Sequence, residues 1–324
     1  MSTVFLTGAS GFLGGHLLRE LLAAGHQVKA LSRRTQTDGP LAAAGAVPVR
    51  AQLDDPGSLQ AAMAGCAAVF HAAADTSLWR AQAAAQTATN VDGTQHMLRA
   101  AAAAKVGAFV HTSSGSAWSH LVSGRIDEHT PQRGGESWVN YERSKYLAEQ
   151  AVKQSALPWV VFNPAHIVGP GDRHNWARLI MLVDQEKLPG IPPGAGCFAD
   201  VRQVAAAQVR AWQLQHFGQS YLVGGEEAGF VDFVHRVGNA LGKRTPRGAM
   251  PAWVLMSYAR TLALWARVSG KEPQVTPESA ALTSHHVRMD SSKARRELGY
   301  VETPLDSLLA DTLAWLRHEG LVGR

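Results

Sequence analysis

The stretch Val4-Phe5-Leu6-Thr7-Gly8-Ala9-Ser10-Gly11-Phe12-Leu13-Gly14 constrains the fold of this chain more than any other part of it. An apolar, strand-like run enters a turn with glycine at every third position, and a helix-periodic run, Phe12 to Ala24, comes next. A strand feeding such a turn and then a helix brings free backbone N–H groups and the positive end of a helix dipole to one point. That is how a chain cradles phosphate. The first glycine permits the turn, the second lets backbone approach a pyrophosphate, and the third lets helix pack on strand. A plain tight turn could use the same residues, so the reading depends on the rest of the chain.

Beyond Gly14 the chain keeps a rhythm. Strand-like runs at Val4 to Leu6, Gln27 to Leu31, Val47 to Arg50, Ala68 to Ala72, Ala108 to Ser113 and Trp159 to Asn163 alternate with helix-forming runs at Phe12 to Ala24, Pro56 to Ala64, Val91 to Ala104 and Val139 to Gln154. This predicts an α/β fold, a Rossmann-type doubly wound parallel sheet whose ligands bind at the carboxyl ends of the strands. Gly8, Arg33, His71, Ser113 and Asn163 fall at those ends. After Gly169-Pro170-Gly171-Asp172 the rhythm breaks into helices, short strands and proline-rich turns. The expected division is a dinucleotide-binding domain over 1–172, to which about 199–224 returns, and a smaller, mainly helical substrate-binding portion over 173–198 and 225–324. A chain of 324 residues can bury a core for both.

Composition narrows the partners. Hydrophobic content of 46% with 18% charged residues reads as globular and soluble, and the net charge of +5 raises the question of nucleic acid. Lys and Arg form no block, gathering at most into pairs such as Arg33-Arg34 and Arg295-Arg296, so no nucleic-acid binding is expected. Cys66 and Cys197 lack CxxC spacing, which predicts two free thiols in a reducing cytoplasm and neither disulfide nor metal site. A strand begins within three residues of Met1, leaving no room for a signal peptide. The most apolar stretch, Pro251 to Val268, is interrupted by Arg260 and Arg267 and is short for a transmembrane span. A helix packed on its own domain is expected there, with a lid or an interfacial helix as alternatives.

Tyr141 and Lys145 stand about one helical turn apart, so both side chains can reach a single pocket. Hydride transfer to a carbonyl builds negative charge on oxygen and calls for a proton donor there plus a second hydrogen bond. A tyrosine beside a lysine ammonium suits the donor role, because the cation favours the phenolate and lowers a pKa otherwise near 10. For the cofactor, the residues after the second strand decide: an acid there would hold a ribose 2′-hydroxyl and repel a 2′-phosphate. The chain instead reads Ser32-Arg33-Arg34 with no acid until Asp38, which favours NADP(H) over NAD(H). His71-Ala72-Ala73-Ala74 closes the fourth strand with small residues on which cofactor can lie flat, His71 itself reading as a packed or bridging histidine. Asp54 is expected to cap a helix at Pro56 or to accept a hydrogen bond from adenine.

Over nearly its whole length the chain resembles the extended short-chain dehydrogenase/reductases. The matching pieces are Thr7 to Gly14, Leu53-Asp54, His71 to Ala74, Asn90-Val91-Asp92-Gly93-Thr94, Thr112-Ser113-Ser114, Tyr141 to Lys145 and Asn163 to Asp172. The segment Asp290 to Tyr300 and the apolar run near Trp253 resemble the dihydroflavonol 4-reductase and 3β-hydroxysteroid dehydrogenase branch. The resemblance implies a Ser114-Tyr141-Lys145 catalytic set, Ser114 being preferred to Ser113. It also implies cofactor contacts from Thr7, Gly8, Ser10, Gly11, Phe12, Leu13, Gly14, Leu53, Asp54, Ala72, Ala73, Ala74, Tyr141, Lys145, Pro164, Ala165, His166 and Ile167. Asn90 reads first as a helix cap. Asn163 departs from the arginine that many sugar-nucleotide epimerases carry at the comparable place, although galactose epimerases also show Phe-Asn-Pro there, so it weighs only mildly against a nucleotide-sugar substrate and leaves one open.

The function expected from these residues is an NADPH-dependent reductase of a ketone or aldehyde, reversibly an alcohol dehydrogenase, with a rather apolar substrate. A nucleotide-sugar epimerase or dehydratase with tightly bound NAD is the alternative. A cofactor-sensing protein without turnover would have the same fold, but the intact Ser114, Tyr141 and Lys145 weigh against it. The apolar faces of Val91 to Ala104 and Val139 to Gln154 permit a homodimer.

Overall fold

Strands such as Val4 to Leu6 and Val160 to Phe162 are apolar on both faces, and a parallel sheet between two helix layers buries both. The structure is a computed structural model describing residues 1–323. Its strands are β1 (Thr3–Thr7), β2 (Gln27–Ser32), β3 (Val47–Arg50), β4 (Ala68–His71), β5 (Ala108–Thr112), β6 (Gly124–Ile126), β7 (Trp159–Pro164), β8 (His166–Val168), β9 (Ala195–Asp200), β10 (Gln219–Val223), β11 (Glu226–Gly229) and β12 (Val287–Met289). The main sheet has seven strands in the order β10-β7-β5-β4-β1-β2-β3. Every pairing in it is parallel. Strand order reverses between β1 and β4, the switch point at which doubly wound sheets bind ligands. The expected fold class is what the chain adopts.

Helices Phe12–Ala23 and Val201–Gln213 cover one face through Leu17, Leu21, Val204 and Ala205. Helices Pro56–Met63, Gly93–Ala103 and Asn140–Lys153 cover the other through Leu59, Met97, Ala101 and Val152. A second core joins the three-stranded sheet β11-β9-β8 to helices Trp176–Asp184, Phe230–Leu241 and Leu305–His318. Between these last two helices the chain returns to the first core, where Ala294, Leu298 and Tyr300 are buried.

Two local features were not legible in the sequence. A helix, Asp38–Ala43, lies between β2 and β3 and contains Gly39 and Pro40 in its first turn. The helical run from Ala83 to Ala103 passes through a π-turn at Ala88–Asp92, a wide turn of the kind that gathers at functional sites.

Candidate active site

The glycine turn closes against β4. Gly8 sits at φ +75°, and a Cβ there would lie 2.9 Å from the Ala72 carbonyl and from the Ala73 nitrogen. At Gly14 a Cβ would come within 1.9 Å of the Gly8 oxygen, so the third glycine is required by backbone, not by a flexible neighbour. Gly11 opens the following helix without a side-chain cap, and the first turn holds no acidic residue. The Gly11 N–H itself donates to the Gly8 carbonyl at 2.8 Å, which leaves the N–H groups of the helix's first turn to face an external anion, and the cradle fits the pyrophosphate of a dinucleotide.

Beneath the cradle, Thr7 and His71 join β1 to β4. The Thr7 hydroxyl lies 2.8 Å from His71 Nδ1 and accepts the Ala73 N–H at 3.1 Å. On the other side of the ring, His71 Nε2 is 3.0 Å from the Thr94 hydroxyl, which donates to the Asn90 carbonyl at 2.7 Å. These partners agree if His71 carries its proton on Nε2. Burial, then the Lys145 charge, pushes its pKa down to about 3, so the ring is a neutral bridge. Thr7 is fully buried and its side chain is spent in this bridge, leaving only its backbone to face a cofactor. Asn90 lies inside the π-turn instead of capping a helix. Its side chain clamps the loop after β4, accepting from Asp75 N at 2.7 Å and donating to Asp75 O at 2.9 Å, and it donates to Ser144 at 3.0 Å.

Tyr141 and Lys145 project from the first turns of helix Asn140–Lys153 toward the carboxyl end of β5. Lys145 is 4% exposed, and its Nζ donates to the Thr112 carbonyl at 2.9 Å. Burial pulls its pKa down to about 8, opposed by the charge of Glu149. The phenol of Tyr141 behaves differently from the sequence expectation. Burial raises its pKa, the Ser114 hydroxyl opposes the rise, and Asp75 adds to it. Desolvation at this partly buried position outweighs any depression by Lys145, whose ammonium is anchored on Thr112.

Ser113 and Ser114 are separated by their partners. Ser113 is 4% exposed and donates to Glu149 Oε2 at 2.6 Å, whereas Ser114 faces Tyr141 and accepts the Ser116 N–H at 3.1 Å. Glu149 is fully buried. It also accepts from Asn163 Nδ2 at 2.6 Å, Gln132 Nε2 at 2.8 Å and Lys153 Nζ at 2.6 Å. Asn163 Nδ2 lies 3.2 Å from the Ser114 carbonyl as well, so one buried carboxylate ties together β7, the turn after β5 and the Lys145 helix. Sequence reading passed over Glu149, although it stands one turn beyond Lys145 on the same helix. Next to Tyr141, Glu142 accepts from the hydroxyls of Ser119 and Ser137, both at 2.6 Å, and from His120 N at 2.7 Å.

At the far end of the cradle Arg33 and Arg34 are exposed and make no ion pair among the described residues. The Ser32 hydroxyl counted with them is already bound to Asp38 Oδ1 at 2.6 Å, and Arg50 pairs with the other Asp38 oxygen at 2.5 Å. Asp38 thus returns to the end of β2 with its charge offset by Arg50. The expected cap at Asp54 is corrected: Asp55 accepts the Gly57 and Ser58 N–H groups, both at 3.1 Å, because it directly precedes Pro56 in the first helical position. Asp54 stays exposed, and Leu53 gives its carbonyl to His96 Nδ1 at 2.6 Å. At the end of β7 Pro164 is buried, and beyond it Ala165 and Ile167 are partly so, while the His166 ring packs 4.8 Å from Trp176 and 5.7 Å from both Phe198 and Phe230. Of the other indoles, Trp118 is core, its Nε1 donating to Thr130 O at 2.8 Å, and Trp138 is exposed.

A doubly wound sheet with a glycine cradle at its switch point and a Tyr-Lys pair beside it defines a dinucleotide-binding enzyme class. A family model described as "NAD dependent epimerase/dehydratase family" matches residues 4–224. The chain is 30% identical over 328 residues, 98% of its length and 95% of the other's, to a Synechocystis sp. protein bearing the name dihydroflavonol 4-reductase. It is 32% identical over 327 residues, 99% of its length and 100% of the other's, to sterol demethylase protein B of Methylococcus capsulatus. The crystal structure of gox2253 superposes with a TM-score of 0.85 at 30% identity and covers 100% of both chains. The chain belongs to the NAD dependent epimerase/dehydratase family, the extended short-chain dehydrogenase/reductases. Its relatives place it in the reductase and dehydrogenase branch that the resemblance implied, and it is an oxidoreductase of a nicotinamide-dinucleotide-dependent family acting on small molecules.

Proposed function

We propose that this protein is an NADP(H)-dependent reductase of an apolar ketone or aldehyde, working reversibly as an alcohol dehydrogenase. The observation that carries the reading is the convergence of Ser114 on Tyr141, with Lys145 anchored one residue before Ser113 on Thr112 O. Gly8, Gly11 and Gly14 would hold the dinucleotide, which when bound would supply the hydride for the carbonyl carbon. Tyr141 gives its proton to the carbonyl oxygen. A phenol whose pKa burial has raised is protonated at neutral pH, the state a donor needs. Ser114 donates the second hydrogen bond to that oxygen. Lys145, at a pKa of about 8, holds the nicotinamide ribose and exchanges its own proton near neutral pH.

Arg33 and Arg34 receive the 2′-phosphate, since Asp38 is occupied by Arg50 and Ser32. Thr7, Ser10, Phe12 and Leu13 frame the pyrophosphate, Leu53 and Asp54 the adenine, and Ala72, Ala73, Ala74, Pro164, Ala165, His166 and Ile167 the nicotinamide half. An apolar substrate is supported by the aromatic cluster of His166, Trp176, Phe198 and Phe230 beside β8, and by a relative named for a sterol reaction. The segments 173–198 and 225–324 supply the substrate-binding portion in this reading.

The test measures dissociation constants for NADPH and NADH on nucleotide-stripped protein, in wild type and in Arg33→Ala, together with NADPH consumption over a panel of hydrophobic carbonyls. A strong NADPH preference that collapses in the variant, with turnover lost in Tyr141→Phe, supports the reading. Tightly held NAD in the purified protein, with no net oxidation during turnover, would replace it with the epimerase or dehydratase reading.

A further inference from the structure

We propose that helix Ala252–Ser269, with its two flanks, is a docking surface for an anionic lipid bilayer. The helix is amphipathic in an unusual sense. One face is packed as expected: Leu255 and Ala259 join Ala280, Met250, Met256 and Val275 in a small cluster of their own, and Ala266 is buried as well. The opposite face is also apolar, yet exposed. Trp253 is 74% exposed, Leu264 61%, Trp265 66% and Val268 88%, and Tyr258 continues the patch. These side chains form an interrupted stripe, Trp253 near one end of the helix and Leu264, Trp265 and Val268 near the other with exposed Ser257 and Thr261 between, and indoles near both ends are what a helix lying in the headgroup region presents to lipid. No helix among the described residues is long and apolar enough to cross a membrane, so any contact is with its surface.

Charge selects the occupant. From Lys243 to Lys271 the chain carries Lys243, Arg244, Arg247, Arg260, Arg267 and Lys271 and no carboxylate. All six side chains are exposed, and none forms an ion pair among the described residues. This one stretch accounts for the whole positive excess of a chain whose net charge is +5. Cations beside an indole-rich stripe complement anionic headgroups above an acyl layer. A second copy of the chain is disfavoured by the same charges, since a two-fold contact would gather six cations from each copy against Glu272, the one exposed acid at the edge of the stretch.

The helix is linked to the candidate active site along the chain. It rests on helix Pro277–Thr283. From there the chain runs through β12, whose Met289 packs against Gly115, the residue after Ser114. The same stretch of chain thus joins the docking helix to the turn that carries Ser114. The docking proposal itself does not rest on the reaction.

Co-sedimentation of the full chain with vesicles of phosphatidylcholine, with and without phosphatidylglycerol, tests it. The wild type is expected to bind the anionic vesicles about tenfold or more tightly than the neutral ones, with the preference shrinking as salt rises. The combined variant Trp253→Ala, Leu264→Ser, Trp265→Ala should lose vesicle binding while keeping its melting temperature and NADPH affinity. Arg260→Gln with Arg267→Gln and Lys271→Gln should lose the anionic preference alone. Absence of wild-type binding to either vesicle overturns the proposal. So does unchanged binding in the apolar variant, or a concentration-dependent dimer that this variant abolishes, which would make the stripe a contact between copies.

Discussion

Replacing Glu149 by glutamine removes one negative charge from the interior while nearly preserving shape. The carboxylate is fully buried and receives four donors: Ser113 at 2.6 Å, Asn163 at 2.6 Å, Gln132 at 2.8 Å and Lys153 at 2.6 Å. In the variant the amide oxygen can keep Ser113 and Asn163, and the NH₂ then faces Gln132 and Lys153, whose side chain is 28% exposed and free to turn to solvent. Exchanging charge-assisted bonds for neutral ones should cost about 2 kcal/mol of stability, not the fold. The sharper effect falls on Lys145, whose proton Glu149 helps to retain.

Taking the two heads, one helical turn along, as about 7 Å apart and the effective dielectric as about 20, the attraction is roughly 2 kcal/mol. Lys153, which turns to solvent in the variant, takes its own repulsion of Lys145 with it and offsets about half, leaving roughly 1 kcal/mol, somewhat under one pKa unit. The other groups facing Lys145 do not compensate: His71 and His111 are held neutral by burial, and Asp75 acts on Tyr141. Glu149→Gln is therefore expected to lower the Lys145 pKa from about 8 by somewhat less than one unit. Losing the ammonium sooner as pH rises moves the alkaline limb of kcat/KM to lower pH. Nitrogen-15 NMR titration of labelled lysine on the cofactor-free protein reads the shift directly, and the pH profile of carbonyl reduction reads its consequence. A variant with lower stability but an unmoved Lys145 titration would refute the electrostatic reasoning and leave Glu149 a packing residue. If the titration moves as expected but no carbonyl is reduced by wild type, the proposed reaction is at fault instead.

Gly8→Ala should weaken dinucleotide binding at least about a hundredfold and destabilise the protein by about 3 kcal/mol, from left-handed strain and from a Cβ 2.9 Å from the Ala72 and Ala73 backbone. Nucleotide titration and thermal melting check it, and a wild-type affinity in the variant would contradict the cradle. Acid should unfold the protein early. His71 and His16 are neutral in the fold with pKa values pushed down to about 3 and about 4, against 6.5 when unfolded, so the unfolded chain binds more protons below that value. The stability these two contribute is complete above pH 6.5 and falls as pH drops, by about 3 kcal/mol each at pH 4. Urea unfolding at several pH values measures the slope, and a midpoint constant from neutral pH to about pH 4 would oppose the assignment.

What the sequence makes legible divides along a physical line. The sheet, its helices and the glycine turn can be read because each is written in local periodicity: apolar runs for β1 and β7, a 3.6-residue repeat in Phe12–Ala23, glycine where backbone meets backbone. The Tyr141 and Lys145 spacing is legible for the same reason. The electrostatics are not, because they depend on burial and on partners distant in sequence. An isolated lysine one turn from a tyrosine ought to lower the phenol pKa; in the fold that lysine is tied to Thr112 and the phenol is dehydrated, so the sign reverses. Asp38 stands too far along the chain to matter at the end of β2, until an unforeseen helix returns it to Ser32.

The same distinction explains why Glu149 and Asn163 cannot be read as a pair. They are 14 residues apart on a helix and a strand, and their shared hydrogen bond exists only once the sheet brings β7 beside β5. Periodicity places Glu149 on the inner face of its helix, where an unpaired carboxylate would be costly. A polar residue falling on an apolar stripe is thus the signal sequence does carry: it says that donors must wait inside without saying which. Here they are Ser113, Asn163, Gln132 and Lys153, and through Asn163 they reach the carbonyl of Ser114. The group that periodicity leaves unexplained is the one that holds the candidate catalytic serine in register.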